Sequence, residues 1–180
     1  MIDRSDPDFQ RDLAYFEQSR IKSLLPHIRR GLWHTTGPRG FAGIRAAGSI
    51  LPNTGEFPFT FPQTGNSFGF HNGYVSLFDL GSAADEELID CYWKWTEFFF
   101  THEPYTIAIE LDRDRLRERL IPNAVARTRG STTVWIPWVE AWHDGPISLT
   151  AAKGFILIPK LAGEVVRAVA LNDPLLAQIV

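Results

Sequence analysis

Three separated stretches hold the side chains that could do chemistry. His34 and Thr35 close the apolar run Leu32-Trp33-His34-Thr35, Tyr74 and Ser76 alternate in YVSLFDL, and Glu140 stands alone in Trp138-Val139-Glu140-Ala141-Trp142. An imidazole offers a donor and an acceptor near neutral pH. A carboxylate on an apolar strand costs several kcal/mol to desolvate unless it is paired or put to use. Each has a plainer reading as well: a hydrogen-bonded core histidine for His34, and an edge-strand residue facing water for Glu140.

Other chemistries lack their residues. His27, His34, His71, His102 and His143 form no HxH or HxxxH pair, and none pairs with Cys91 or a carboxylate at ligand spacing, so no metal site is expected. There is no GxSxG elbow, and Ser76 sits in mid-strand rather than at a strained turn. Neither a GxxxxGK[ST] loop nor a GxGxxG after a strand is present; Gly65-Asn66-Ser67-Phe68-Gly69 has the wrong spacing.

The elements that must position these side chains read as one α+β domain with a mixed or antiparallel sheet. Phe9, Leu13, Phe16, Ile21, Leu24 and Leu25 recur at helical spacing, so a covering helix is expected through Arg30. Leu32–Thr35 is a short strand, and Gly40–Ala47 a short helix stopped by Gly48. Tyr74–Leu80 alternates as a strand, with Tyr74, Ser76 and Phe78 on one face. Ser82 is expected to cap a helix running to about Phe100, whose Trp93, Trp95, Phe98, Phe99 and Phe100 are read as core. Tyr105–Leu111 is a strand, and Asp112 caps a helix over Arg113–Leu120. Strands follow at Ser131–Ile136, Glu140–Trp142 and Gly154–Pro159. Between Leu51 and Gly73 lie three prolines, four glycines and five phenylalanines, with no Lys or Arg. A stretch of that kind is either a lid or binding loop, or a surface loop pinned by its own aromatics.

Composition bounds the rest. The chain has 180 residues, 44% hydrophobic, and carries a net charge of −3 with acids and bases interspersed, which argues against a broad nucleic-acid-binding face. One cysteine excludes a disulfide framework. Without a signal-like start or an apolar run long enough for a bilayer, a soluble cytoplasmic protein with no membrane partner is expected. Six tryptophans supply flat side chains suited to a core or to a ligand cleft.

Taken in order, LWHTT and GIRAAGSILP, then GYVSLFDL, then the Glu of PWVEAWHDGPISL resemble the His–Tyr–Glu signature of the ADP-ribosyltransferase fold. NAD-dependent toxins, poly-ADP-ribosylating enzymes, DNA-targeting ADP-ribosyltransferases and RNA 2′-phosphotransferases share that fold. The similarity covers roughly Leu32 to Pro159. It implies a split sheet within one domain over residues 1–180, with a helical cover in 1–30, the ADP-ribosyltransferase-like core in 31–160 and a tail in 161–180. It also implies NAD as co-substrate, bound by His34, Thr35, Tyr74, Ser76 and Phe70. His34 with Thr35 would bond the adenosine-side ribose and the nicotinamide amide, and Tyr74 would stack on the nicotinamide ring. Glu140 would be catalytic, because departing nicotinamide leaves an oxocarbenium-like sugar that an oriented anion stabilises.

The sequence departs from the family in ways that bear on the acceptor. Trp138 stands where arginine-modifying members carry the first Glu of Glu-x-Glu, which argues against an arginine acceptor. No Arg lies between Leu51 and Leu80, against the pattern of DNA-modifying members, and the RHG-type motif of the phosphotransferases is absent. The resemblance therefore implies transfer of ADP-ribose to an unassigned protein or nucleic-acid acceptor, as a toxin or modification protein. Two alternatives stand beside it. One is a catalytically silent domain of the same fold that binds a nucleotide or protein partner; the other is an unrelated α+β protein whose aromatic loop binds a small molecule.

Overall fold

Chain order in the computed structural model, which describes residues 2–59, 62–101, 103–128, 136–160 and 166–178, begins with two helices. These are α1 (Pro7–Gln18) and α2 (Arg20–Ile28), followed by β1 (Leu32–Thr36), α3 (Pro38–Ala47) and β2 (Ser49–Ile50). Next come α4 (Phe68–Asn72), β3 (Tyr74–Asp79), α5 (Asp85–Asp90), α6 (Tyr92–Trp95) and β4 (Tyr105–Leu111). The chain continues through α7 (Arg113–Leu116), β5 (Leu120–Ile121), α8 (Asn123–Thr128), β6 (Glu140–Asp144) and β7 (Ile147–Ser148). It closes with β8 (Ala152–Pro159), β9 (Arg167–Val169) and α9 (Pro174–Gln178). No helix among the described residues is long and apolar enough to cross a membrane.

Among the described residues seven strands form one antiparallel sheet in the order β5-β6-β3-β1-β4-β8-β9, and β2 pairs with β7 separately. Alternation sorts the side chains onto two faces. Trp33, Phe78, Ala108, Ile156 and Ile158 meet α1, α2, α5 and α6 through Phe16, Ile21, Leu24, Ile28, Leu88 and Trp95. Leu32, Val75, Leu77, Ile107, Ile109, Phe155 and Leu157 meet α3 through Phe41 and Ile44 on the other face. The α+β class and the antiparallel sheet agree with the reading of the sequence.

The division of the sheet is a fork rather than two separate sheets. β1 pairs with β4 through all of its residues, from Leu32 opposite Leu111 to Thr36 opposite Ile107. It pairs with β3 only at Leu32–Asp79 and Trp33–Phe78. β3 is meanwhile bonded along its length to β6, from Phe78–Glu140 to Tyr74–Asp144. The two halves are therefore joined at the start of β1 and part beyond Trp33, where His34 stands.

Several element boundaries differ from those expected. The covering helix breaks at Ser19, whose extended backbone (ψ 157°) accompanies a hydroxyl bond to Phe16 O at 2.6 Å; serine competes with the helix for its own carbonyls. Asp6 caps α1 through Asp8 N, with Pro7 in the first turn. Ser82 caps nothing: its hydroxyl accepts from Arg113 Nη2 at 2.6 Å, and the helix starts at Asp85 with the Glu87 carboxylate receiving Ala84 N–H. That helix is interrupted at Cys91 and ends in a 3-10 turn over Thr96–Phe99. Trp95 and Phe99 are core, but Trp93 is 54% exposed. α7 stops at Leu116 because Leu120 and Ile121 are drawn into pairing with β6. Of the strand expected at Ser131–Ile136, residues 131–135 lie outside the described residues, and Ile136 is not in a strand.

Candidate functional site

His34 is aimed by the fork. It follows Trp33, whose buried indole donates to Ile28 O at 2.8 Å and fixes the start of β1. The His34 ring, half-buried, lies with Nδ1 3.1 Å from Ser76 O, reaching across to β3 just where the main-chain pairing ends. Burial lowers its pKa, partly offset by the Ser76 bond. Thr35 is buried opposite Ala108, on the Trp33 side of the strand.

Register places Glu140 in the same row. Trp33, Phe78 and Glu140 are opposite one another across β1, β3 and β6, so Glu140 opens its strand at the closed end of the fork. The side chain is only 6% exposed, and Oε2 accepts Ile136 N–H at 2.7 Å. Burial pushes the carboxyl up to about 7, while bonds from Ile136 N–H and the Trp142 side chain pull the other way. This is not a water-facing edge residue, and among the described residues it has no ion pair: the carboxyl is desolvated and held by neutral donors.

Tyr74, Ser76 and Glu140 share the first face of the β3–β6 half, but they do not adjoin. Tyr74 is opposite Asp144 and Ser76 opposite Trp142, so Tyr74 is four residues from the Phe78–Glu140 pair, roughly 13 Å at the rise of a strand. α4 fills the interval. Phe68 packs on Trp142 (ring centroids 4.7 Å) and Tyr74 (5.9 Å). At Gly69 a Cβ would come within 2.4 Å of Ser76 Oγ, so the helix backbone lies directly on the serine. Phe70 stands edge-on to Phe59 at 5.4 Å and to His71 at 5.7 Å, at the outer side of α4. The end of the Gly/Pro/Phe stretch thus covers Ser76 and Trp142, while Phe57 and Phe59 remain 46% and 42% exposed.

Strand alternation sends His34 to the face opposite Trp33 and hence opposite Glu140. The structure therefore brings His34 to the Ser76 main chain and aligns Ser76, Trp142 and Glu140. It does not set Tyr74 beside Glu140. Tyr74 instead lines a depression of about 240 Å³ with Arg119, Ile121 and Asp144. A second depression, of about 450 Å³, lies between His27, Arg30, Trp33 and Glu110. Neither includes His34 or Glu140.

Asn123 was not read from the sequence as a site residue. It is buried, and its Nδ2 donates to both Ile136 O and Glu140 O. The only signal was a polar residue directly after Pro122. The Cys91 thiol is buried and bonded to Glu87 O, and burial pushes it up to about 12, which disfavours the thiolate. Among the described residues no group of three or more His, Cys, Asp or Glu is placed to hold a metal ion. Compared with family models, curated proteins and solved structures, the chain matches none.

Proposed function

We propose that this chain is an ADP-ribosyltransferase-like enzyme that binds NAD across the fork between β1 and β3. It breaks the bond between nicotinamide and ribose and passes ADP-ribose to a macromolecular acceptor. The observation that carries this reading is the Trp33–Phe78–Glu140 row, with the sheet opening beside it at His34. His34 borders that gap directly, while Glu140 lies one strand further out on the other face, in the row at its closed end. In the reaction the glycosidic electron pair leaves with nicotinamide, which departs neutral. The acceptor nucleophile bonds to the ribose carbon and gives up its proton to solvent water. Glu140 stabilises the cationic sugar between those events, in a dry setting where one oriented charge counts for most. The pyridinium charge of bound NAD favours the ionised form of a carboxyl that is otherwise balanced near neutrality. His34, donating from Nδ1 to Ser76 O, keeps Nε2 as an acceptor for a ribose hydroxyl.

Incubation with NAD labelled in the adenylate portion tests the proposal. Free nicotinamide should appear, together with label on a macromolecule from a cell extract. A chain that releases no nicotinamide is not this enzyme.

One observation favours a catalytically silent domain that binds a nucleotide: Glu140 Oε2 is engaged within its own turn, by Ile136 N–H, and the residue is 6% exposed. In that reading Glu140 is a structural link. NAD or an adenine nucleotide then raises the melting temperature, as any ligand selective for the folded state must, without nicotinamide release.

A further inference from the structure

We infer that Asn123 is the positioning residue for Glu140: from the start of α8 it pins the turn Ile136–Glu140 and so aims the carboxylate that glycosidic cleavage would use. The inference rests on the proposed function for its catalytic meaning, but its geometry stands independently.

The turn is constrained from several sides. Asn123 Nδ2 donates to Ile136 O and to Glu140 O, each at 3.0 Å, so one buried amide spans both ends of the turn. Glu140 N–H closes the same loop on Ile136 O at 3.4 Å, and Ile136 N–H holds the Glu140 carboxylate at 2.7 Å. Val139 O receives Asp79 N–H at 2.6 Å, tying the turn to β3. Between these bonds Trp138 adopts φ 68°, the one non-glycine positive φ among the described residues. Such a backbone costs about 1–3 kcal/mol and persists only where its surroundings over-determine it. α8 supplies a second hold from outside, with the Arg127 guanidinium 4.2 Å from the Trp138 ring centroid. A strained turn held by one helix at two points, directly before a buried carboxylate, is an arrangement for orientation. Simple strand entry requires none of it.

The test follows the Glu140 carboxyl by NMR in protein labelled at the glutamate side-chain carbon, its signal assigned by loss in Glu140→Gln. In wild type burial should place its midpoint near 7, above the ordinary 4.5. In Asn123→Ala the turn relaxes, water reaches the carboxyl, and the midpoint falls by about one unit or more. An unchanged midpoint in folded Asn123→Ala overturns the inference, because a merely stabilising asparagine lowers the melting temperature without moving that titration. If Asn123→Ala does not fold, Asn123→Ser, which keeps a polar side chain too short to span both carbonyls, is read in its place with the same two outcomes. Where wild type cleaves NAD, Asn123→Ala should also lower kcat by at least about tenfold with KM little changed; equal kcat overturns the inference. Absence of cleavage by wild type refutes the proposed function alone, since the carboxyl titration still decides whether Asn123 positions Glu140.

Discussion

His34 Nδ1 lies 3.1 Å from the main-chain oxygen of Ser76, on the strand from which β1 parts one residue earlier. A carbonyl only accepts, so Nδ1 carries the proton and neutral His34 leaves Nε2 as an acceptor. Burial lowers the imidazole from its ordinary 6.5, more than the Ser76 bond raises it. Nitrogen chemical shifts should report the Nδ1–H tautomer and a midpoint below 6.5. The unfolded chain takes up this proton first, so His34 costs the protein stability as pH falls below 6.5. An Nε2–H tautomer, or a midpoint at or above the ordinary value, would break the proposed hydrogen-bond assignment.

Glu140 acts on stability with the opposite sign. Its folded value near 7 lies above the ordinary 4.5, because burial disfavours the anion. The folded state then keeps a proton that the unfolded chain has already released. That contribution to stability is fully present below 4.5 and is lost as pH rises through about 7. The gap corresponds to about 3 kcal/mol. Urea unfolding at several pH values should show Glu140→Gln without this fall, and more stable than wild type at pH values above the Glu140 midpoint. Comparing variant with wild type at each pH cancels the His34 contribution. A fall of the same size in both proteins would mean that Glu140 is not the residue responsible.

Gly69 is where α4 can lie flat on the sheet. A methyl group there would stand 2.4 Å from Ser76 Oγ and 3.0 Å from Trp142 Cδ1. The serine hydroxyl can turn aside, but the buried indole, wedged against Phe68, cannot. Alanine would gain up to about 1 kcal/mol in helix propensity. Overpacking costs typically about 1–3 kcal/mol and should prevail. Gly69→Ala is expected to lower the denaturant midpoint, and Ser76→Ala in the same chain to restore part of it. A stabilised Gly69→Ala would show that α4 is free to lift from β3.

What the sequence made legible was local. Alternation in YVSLFDL and the β-prone residues of YTIAIEL marked β3 and β4, each of which buries its two faces against different cores, and Gly48, at φ 64°, marked the end of α3. The solitary Glu140 was visible as a burial problem in need of a partner. What could not be read depended on distant chain. The break at Cys91 follows from packing Trp95 and Phe99 into a core shared with α2, which no helical period encodes. β5 is two residues long and exists because β6 offers it an edge. The fork depends on which strands β1 meets and for how many residues, and Asn123 is defined only by the two carbonyls that converge on it.

Two substitutions separate chemistry from binding. Glu140→Gln keeps the shape of the side chain and an oxygen for Ile136 N–H, but removes the charge. If Glu140 stabilises the cationic sugar, NAD affinity should change little and nicotinamide release should slow by about two orders of magnitude or more, the scale for removing one preorganised electrostatic group. The wild-type rate should also rise with pH through the Glu140 midpoint near 7, lowered when bound NAD brings its own positive charge, and that limb should vanish in the variant. His34→Ala removes an acceptor whose proposed hydroxyl partner is already present in the ground state, so it should weaken NAD binding by about tenfold and leave the rate from bound NAD nearly unchanged. Isothermal titration for affinity and single-turnover release of nicotinamide measure the two effects independently. Wild-type turnover in Glu140→Gln would remove the carboxylate from the mechanism. A rate loss in His34→Ala with affinity intact would move His34 from binding into the chemical step.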